Sequence, residues 1–353
     1  MRVLAALSGG VDSSVAAALL VEAGHEVVGA TMKLWGGDSD TGCCSVSDVE
    51  DARRSAAQLG VDHHVFNYTA EFDEHVVGPY VRDHAEGRTP NPCIECNRHL
   101  KFDVLLERAE LLGFDAVATG HHARIVERPD GTRRIARGAD VAKDQSYVLY
   151  PLHGAELTRV LLPIGHLTKD EVRARATALG LRTAAKADSQ DVCFITRVDG
   201  RDAFLGERLD LHPGRVVDEA GTPVGEVAAV ELVTIGQRRG LGLAGGAARR
   251  FVTDVDVAAR AITVGPPERL LAEGVAVGDM VWAHEPVDGE LFAQCSAHGD
   301  AHPAVVAVEE GGESVVLRWD EPQRRVAPGQ SVVLYEGDAV VGGGIVAGGQ
   351  AVP

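Results

Sequence analysis

The sequence predicts an α/β fold, with a doubly wound, mainly parallel N-terminal sheet, then a small β-rich central domain and a C-terminal β-barrel. Two observations predict this fold. In the first half, short apolar strand patterns alternate with helix patterns, as is typical of a parallel sheet covered by helices. After about residue 205 the helix patterns disappear, and short Val-rich runs separated by Gly, Pro and Asp continue to the end. We therefore expect domains at 1–204, 205–272 and 273–353.

The first predicted strand, 2–7, leads through the heptad SGGVDSS at 8–14 into a helix that ends at Gly24. A strand, a glycine-rich turn and a helix N-terminus together form a site that favours anions, because the first turn of a helix has unpaired N–H groups. Gly9 and Gly10 lack a Cβ and let the backbone approach a ligand closely. The pattern is not Walker A, because no Gly-Lys-Ser/Thr follows. The spacing by itself therefore predicts an anion site.

Further strands are expected at 27–34, 62–68 and 114–120, so the ends near Met32 and Gly120 should meet the heptad at one edge of the sheet. Capping boxes at Ser47 and Thr168 predict two helices, a third helix is expected at 70–86, and a hairpin is expected around 129–131. The strands expected in the second half are 215–217, 230–234, 250–256, 261–264, 280–283, 304–308, 314–319, 331–335 and 339–346.

Two cysteines are candidate nucleophiles. The stretch GRTPNPCIECN at 87–97 holds two prolines, which predict a stiff loop, and Asn97 is expected to cap the next helix. Cys96 would then lie just before a helix N-terminus, whose dipole lowers the pKa of a thiol. Cys193 follows a polar run and precedes an apolar pair.

The spacing Cys93-x-x-Cys96 leaves two other interpretations open. It could be a redox pair, or part of a metal or iron–sulfur site with Cys193 as a third ligand. A fourth ligand would come from Cys43, Cys44 or a histidine. Six cysteines in 353 residues do not form a disulfide framework, and they indicate catalysis or metal binding in the cytoplasm.

The net charge of −18 taken alone argues against a nucleic-acid partner, but local basic patches decide phosphate binding. No acidic residue occurs from Leu232 to Phe251, and that stretch carries Arg238, Arg239, Arg249 and Arg250. We interpret it as a loop that contacts phosphates. No apolar run is long enough to span a membrane, and we expect a cytoplasmic protein without a membrane partner.

The heptad resembles the pyrophosphate loop of the ATP-pyrophosphatase (PP-loop) superfamily. The motifs GRTPNPCIECN, TGHH at 119–122, KDQSY at 143–147, DSQDVCFI at 188–195 and IGQRRGLG at 235–242 follow it in order. This series resembles the MnmA family of bacterial tRNA-specific 2-thiouridylases over nearly the whole chain. The resemblance implies a tRNA-uridine 2-sulfurtransferase that adenylates the C2 oxygen of the wobble uridine and transfers sulfur from a cysteine persulfide.

The resemblance also implies roles for individual residues. Cys193 matches the cysteine that carries the persulfide, and Cys96 matches the nucleophile that closes a disulfide with it. ATP with Mg²⁺ would be bound by Ala6, Leu7, Ser8, Gly9, Gly10, Val11, Asp12, Ser13, Met32 and Gly120. The tRNA would be contacted by Asn91, Pro92, Cys93, His121, Lys143, Asp144, Gln145 and Gln330, and from their own pattern we add Arg238 and Arg239. A sulfur-donor protein, either a cysteine desulfurase or a sulfur relay protein, is the implied partner.

The sequence departs from the family pattern at two places, and two other functions remain open. Many members have Asp where this chain has Cys93, and the stretch after Cys295 lacks the expected Tyr and Arg. One alternative is another adenylating ligase, of the amidotransferase or argininosuccinate-synthase type. The other is an iron–sulfur protein with Cys93, Cys96 and Cys193 as ligands, either a thiolase or an RNA-binding protein without turnover.

Overall fold

The computed structural model describes residues 1–35, 46–187, 192–195, 200–243 and 249–348. Its strands are β1 Arg2–Ala6, β2 Glu26–Lys33, β3 His63–Asn67, β4 Ala116–Ala118, β5 Ala123–Glu127, β6 Arg133–Arg137, β7 Val160–Leu161, β8 Gly214–Asp218, β9 Pro223–Val227, β10 Phe251–Asp256, β11 Ala261–Gly265, β12 Leu271–Trp282, β13 Gly289–Gln294, β14 Ala301–Val308, β15 Val315–Arg324, β16 Ser331–Glu336 and β17 Ala339–Val346.

The α-helices are α1 Val11–Glu22, α2 Val46–Leu59, α3 Thr69–Phe72, α4 Gly78–Ala85, α5 Pro92–Glu95, α6 Leu105–Leu111, α7 Lys169–Ala178 and α8 Gly200–Gly206. Two π-helical stretches, Asp73–Val77 and Cys96–Val104, join α3 to α4 and α5 to α6. Short 3₁₀ turns occupy Val141–Lys143, Ser146–Leu149, Gly154–Thr158, Arg182–Ala185, Val230–Leu232 and Pro267–Leu270.

The N-terminal sheet is parallel, with strand order β3-β2-β1-β4-β7. Its central strand β1 is buried on both faces, since Val3 and Leu4 are both 0% exposed, and this explains the unbroken apolar run. The strands end side by side at their carboxyl edge, so the residues that follow β1 and β4 face one another there. The doubly wound parallel sheet predicted from the sequence is confirmed.

In the described residues of the second half, the strands pair antiparallel except for one parallel pair. β10, β11, β8 and β9 form a four-stranded sheet, in which β11 and β8 run parallel. The order β12-β15-β14-β13-β16-β17 closes into a barrel because β12 also pairs with β17. The predicted hairpin β5–β6 is confirmed, and it extends the barrel sheet through the pairing of Ala136 with Ala339. The N-terminal half and the barrel therefore share one continuous sheet.

Several local elements differ from the sequence-based expectation, each for an identifiable reason. The expected strand 230–234 is largely a 3₁₀ turn, because the buried Glu231 side chain accepts hydrogen bonds from the His212 backbone and ring nitrogens at 3.1 and 2.9 Å. β7, β9 and β13 were not predicted, since β7 has only two residues and Gly and charged residues interrupt the apolar pattern of β9 and β13. Helix α2 begins at Val46, so Ser47 lies inside it rather than at its cap.

The predicted end of the proline loop, with Asn97 as a helix cap, was also wrong. The helix begins at Pro92, not after Asn97, because proline fits the first helical position, where its missing N–H removes no helix hydrogen bond. Asn91 is the cap, and its side chain accepts from the Cys93 N–H at 3.1 Å. Asn97 is buried in the continuing helix and donates to the Val148 carbonyl at 3.0 Å. Cys96 therefore lies one turn inside the helix, where the helix dipole lowers the pKa of a thiol less than it does at the N-terminus.

Candidate active site

The turn after β1 is shaped by a glycine that no other residue can replace without a clash. Gly9 has φ +74°, and a Cβ there would collide with the carbonyl oxygen of Asp48 in α2. The Ser8 N–H donates to Ser13 Oγ at 3.2 Å, which folds the turn over the start of α1. Among the described residues no side chain caps α1 at Gly10, so its first N–H groups remain available for an anion.

Asp12, in the first turn of α1, is held by two cationic or donor groups. Lys169 Nζ lies 2.8 and 2.7 Å from its two carboxylate oxygens, and His122 Nε2 lies 3.1 Å from Oδ1. Burial by itself would raise the pKa of Asp12, but the hydrogen bonds from His122 and Lys169 lower it overall. Asp12 is therefore a carboxylate, available to hold a cation as well as to pair with Lys169.

A second ammonium group secures the other side of the turn. Lys186 Nζ donates to the Gly9 carbonyl at 2.9 Å and lies 2.6 and 2.8 Å from the carboxylates of Asp48 and Asp51. Burial would lower the pKa of Lys186, but its two aspartate partners raise it overall. Lys169 and Lys186 were missed from the sequence, because no spacing relates them to the heptad and only the fold brings α7 and its following turn beside it.

The neighbouring strand ends complete this edge of the sheet. A Cβ on Gly120, just after β4, would lie 2.5 Å from the Ser13 nitrogen, so the close approach of β4 to α1 requires glycine. Thr31 in β2 donates to the Leu7 carbonyl at 2.7 Å, and Met32 follows it in the same strand. His122 Nδ1 is buried and has no hydrogen-bond partner within the described part of the chain. The described residues expected to bind ATP thus meet at one edge.

This cradle fits a polyphosphate. It offers backbone N–H groups at a helix start, the hydroxyls of Ser8 and Ser13, two ammonium groups nearby and an orphaned imidazole nitrogen. It fits Mg²⁺ as well, since the carboxylate of Asp12 is an oxygen ligand of the kind that this ion prefers.

The two candidate sulfur residues belong to one hydrophobic cluster. Cys96 is 7% exposed within it, and Cys193 packs against it as a partly buried thiol. Phe194 is buried in the same cluster, with its ring centroid 5.5 Å from that of Tyr80 and 5.6 Å from that of Phe72. The fold therefore brings to one cluster two thiols that are 97 residues apart in the sequence. The motif residues 188–191 before Cys193 lie outside the described residues.

The cluster-ligand interpretation finds no support in the placement of the side chains. Among the described residues, no group of three or more His, Cys, Asp and Glu side chains is arranged to hold a metal ion. Cys93, Cys96 and Cys193 as they stand do not form such a group, so we derive no step through an iron–sulfur cluster. Cys43 and Cys44 lie outside the described residues.

Several residues expected to contact tRNA make contacts within the protein. The ring of His121 is buried, its Nδ1 lies 2.8 Å from Thr119 Oγ1, and burial lowers its pKa well below the usual range. Asp144 binds Arg137 and Ser146, and Gln145 Oε1 accepts from the His122 N–H at 2.9 Å.

Other expected contact residues are accessible or only partly covered. Lys143, Arg238 and Arg239 are exposed. Asn91 and Cys93 are half-buried, and Pro92 is buried at the helix start. Gln330 Nε2 donates to the Thr89 carbonyl at 2.8 Å. Among the residues expected to contact tRNA, the exposed basic ones are thus Lys143, Arg238 and Arg239.

No helix in the described part of the chain is long and apolar enough to cross a membrane.

Three family models match the chain in succession. They are described as the tRNA methyl transferase HUP domain at residues 1–197, the tRNA methyl transferase PRC-barrel domain at 202–266 and the aminomethyltransferase beta-barrel domain at 272–346. The first alone spans more than half of the chain.

Curated relatives match along almost their full length. A protein of Roseiflexus sp. (strain RS-1), described as tRNA-specific 2-thiouridylase MnmA, is 48% identical over 98% of this chain and 99% of its own. A protein of Geobacter metallireducens with the same description is 43% identical over 97% of this chain and 96% of its own.

Solved structures are more distant. A 4-thiouridine synthetase in complex with RNA and ATP is 21% identical, covers 54% of this chain and 44% of its own, and has a TM-score of 0.37. The U34-tRNA thiolase NcsA from Methanococcus maripaludis, with its [4Fe-4S] cluster, is 18% identical, covers 59% of this chain and 63% of its own, and has a TM-score of 0.36. These two similarities are too low to carry an argument.

Proposed function

The chain belongs to the MnmA family of tRNA-specific 2-thiouridylases, and from this premise we propose how its residues divide the reaction. The protein is an enzyme that thiolates uridine in tRNA at the expense of ATP. Its relatives over nearly the whole chain are thiouridylases, so the adenylating-ligase alternative is not retained. The observation that carries the proposal is the phosphate cradle at Ser8–Ser13 in the same domain as a cluster holding the thiols of Cys96 and Cys193.

The cradle would hold the triphosphate of ATP. The N–H groups at the start of α1 and the hydroxyls of Ser8 and Ser13 would donate to phosphate oxygens, and Asp12 would hold Mg²⁺. Lys169 supplies positive charge beside the departing pyrophosphate, and Lys186, which Asp48 and Asp51 neutralise, holds the Gly9 carbonyl and with it the turn. ATP supplies the activation: the C2 oxygen of uracil attacks the α-phosphorus, pyrophosphate leaves, and the oxygen becomes part of AMP, which is a good leaving group.

The thiols would deliver the sulfur. Cys193 would carry a persulfide, whose terminal sulfur bonds to C2 while AMP leaves with the original oxygen. Cys96 as a thiolate attacks the inner sulfur of Cys193, the S–S bond to the transferred sulfur breaks, and a Cys96–Cys193 disulfide forms. In the other order, Cys96 first attacks the inner sulfur of the Cys193 persulfide and releases sulfide, which then attacks C2 while AMP leaves. Both orders end with the same disulfide, which an external thiol reductant must reopen.

The partners follow from this chemistry. The persulfide sulfur requires a donor protein, a cysteine desulfurase or a sulfur relay protein, and the substrate is a tRNA with an unmodified wobble uridine. The target base must leave its stack to reach a thiol as buried as Cys96. Exposed Lys143, Arg238 and Arg239 would meet phosphates. We place the enzyme in the cytoplasm and keep the domains 1–204, 205–272 and 273–353.

The test is a thiolation assay with ATP, a sulfur donor and a tRNA transcript that carries uridine at the wobble position. We expect 2-thiouridine and AMP with the wild type, and neither 2-thiouridine nor the disulfide with Cys96→Ser or Cys193→Ser. Full activity in either variant would contradict the assigned roles. Thiolation by the wild type without consumption of ATP would contradict the role of the cradle.

A further inference from the structure

The barrel forms hydrogen bonds with the chain segment that leads into the helix of Cys96. The Thr89 N–H donates to the Pro328 carbonyl at 2.8 Å. On the other side of the same residue, Gln330 Nε2 donates to the Thr89 carbonyl at 2.8 Å. Two hydrogen bonds to the flanking peptide groups of one residue fix both peptide planes, and hence the direction in which the chain leaves Thr89. We call Pro328, Gly329 and Gln330 the barrel clamp.

The barrel clamp is a rigid part of the barrel. The Gly329 N–H donates to the Val346 carbonyl at 3.0 Å, and the Val346 N–H donates to the Gln330 carbonyl at 2.8 Å, so the clamp is tied to the last residue of β17. Gly329 has φ +86°, and a Cβ there would come within 3.0 Å of Thr89 N and of Arg88 Cβ. The two segments are therefore packed as closely as glycine permits.

Thr89 also contacts the central domain. Its hydroxyl donates to Thr234 Oγ1 at 3.3 Å. A single residue of the N-terminal domain thus bonds to both of the domains that follow it. Thr234 lies four residues before Arg238, in the stretch that we assign to phosphate contact.

A displacement of the backbone at Thr89 would move the helix of Cys96 by a similar amount, because the segment between them is stiff. Pro90 and Pro92 have fixed φ angles, and Asn91 between them caps the helix that carries Cys96. Only two residues separate Thr89 from Pro92, where that helix begins, and the helix continues without a break through Cys96. The position of the sulfur is therefore set from the point where the barrel clamp holds the chain.

We propose that Gln330 is a positioning residue, and that the barrel clamp fixes the helix of Cys96 in the geometry that sulfur transfer needs. The proposal rests on the proposed function, because it assigns the barrel a part in that reaction. Gln330 acts on Cys96 through the backbone of Thr89, in addition to the tRNA contact that the family resemblance implies for it. Engagement of tRNA by the barrel or by the central domain then reaches the nucleophile through Thr89.

The variant that tests this is Gln330→Glu, which keeps the shape of the side chain but places an acceptor against the Thr89 carbonyl. Gln323→Glu is the matched control, because it makes the same charge change in the barrel and its side chain donates to the nearby Glu321 carbonyl rather than to another domain. Three quantities are measured: the Kd for the tRNA transcript, the single-turnover thiolation rate at saturating ATP and tRNA, and the rate at which iodoacetamide alkylates Cys96.

We expect Gln330→Glu to lower the thiolation rate about tenfold or more relative to Gln323→Glu, since a misplaced nucleophile loses that much. The alkylation rate of Cys96, measured without tRNA, should change as well, whereas the Kd for tRNA reports separately on a tRNA contact of Gln330. An unchanged thiolation rate overturns the proposal. Weaker tRNA binding with an unchanged saturated rate and an unchanged alkylation rate leaves Gln330 with the tRNA contact alone and overturns the proposal too.

A second variant tests the barrel clamp at another residue, and urea unfolding of both variants checks that they fold. Gly329→Ala keeps the Gln330 side chain but pushes the barrel clamp away from Thr89, and it must reduce the rate in the same direction. If the wild type itself fails to thiolate, the proposed function fails. The alkylation rate of Cys96 still reports on the barrel clamp in that case. Equal alkylation rates in all variants would contradict the proposal that the barrel clamp fixes the helix of Cys96.

Discussion

Lys169 donates to both carboxylate oxygens of Asp12, at 2.8 and 2.7 Å, and thereby joins the start of α7 to the start of α1. The lysine is 8% exposed and lies at the first position of a helix that a full capping box holds in place through Thr168 and Glu171. An ammonium group so placed neutralises Asp12, and it lies where it can also meet the charge of a polyphosphate.

Lys169→Met is expected to weaken ATP binding by about tenfold to a hundredfold, because a charge-assisted hydrogen bond contributes about 1.5–3 kcal/mol. Equilibrium binding of ATP with Mg²⁺ measures the effect. Arg175→Gln on the same helix is the control, since its ion pair with Glu22 is about half exposed and its loss should change affinity less than twofold. An unchanged Kd in Lys169→Met would remove the lysine from the site.

Gly9→Ala and Gly24→Ala separate steric clash from backbone strain. Both glycines have positive φ, +74° and +80°, so alanine is strained at either position by about 1 kcal/mol. A Cβ at Gly24 meets nothing within 4 Å, whereas at Gly9 it collides with the Asp48 carbonyl. We expect Gly24→Ala to lose only stability in urea unfolding and to bind ATP normally, while Gly9→Ala loses ATP binding. Equal ATP affinity in the two variants would contradict the close packing of the turn.

The sequence predicts the parts of this site that are local and misses those that depend on tertiary contacts. The heptad and the hairpin at Ala123–Arg137 are set by neighbouring residues, and their positions were predicted correctly. Lys169 and Lys186 reach the heptad only because α7 packs against α1. The helix at Pro92 was missed because two prolines were taken to exclude a helix, although one of them stands at the position that tolerates proline.

Cys295 is the matched control for the two sulfur residues. Burial raises the pKa of its thiol to about 12, so it stays protonated at neutral pH. We expect Cys295→Ser to thiolate at a rate within about threefold of the wild type, while Cys96→Ser and Cys193→Ser fall by more than about a thousandfold. Mass spectrometry after mild alkylation should find Cys193 labelled before Cys295. Loss of thiolation in Cys295→Ser with intact folding would place a third thiol in the chemistry.

His84 makes the contact between α4 and the central domain sensitive to acid. Burial, and then the nearby charge of Arg201, lower its pKa to about 4 from an ordinary 6.5. Between pH 6.5 and pH 4, His84 is protonated in the unfolded chain but not in the folded chain. The free energy of unfolding therefore falls as the pH falls from about 6.5 to about 4, by up to ~3 kcal/mol.

Urea unfolding at pH 7 and pH 5 measures this effect. His84→Gln should lose less stability than the wild type over that interval, and the exposed His166→Gln should lose as much as the wild type. Identical pH dependence in all three proteins would show that His84 titrates normally when folded.

Arg238 and Arg239 should contribute to tRNA binding through phosphates and not through base contacts. Both are exposed in a stretch free of acidic residues, within a chain of net charge −18. We expect the double variant Arg238→Gln, Arg239→Gln to weaken tRNA binding by about tenfold or more at moderate salt, and to flatten the plot of log K against log salt by about 1.5–2 units. Arg269→Gln is the control, because that arginine pairs with Glu219 and should leave the slope unchanged. A lower affinity with an unchanged slope would mean that the two arginines act on the fold of the stretch rather than on phosphates.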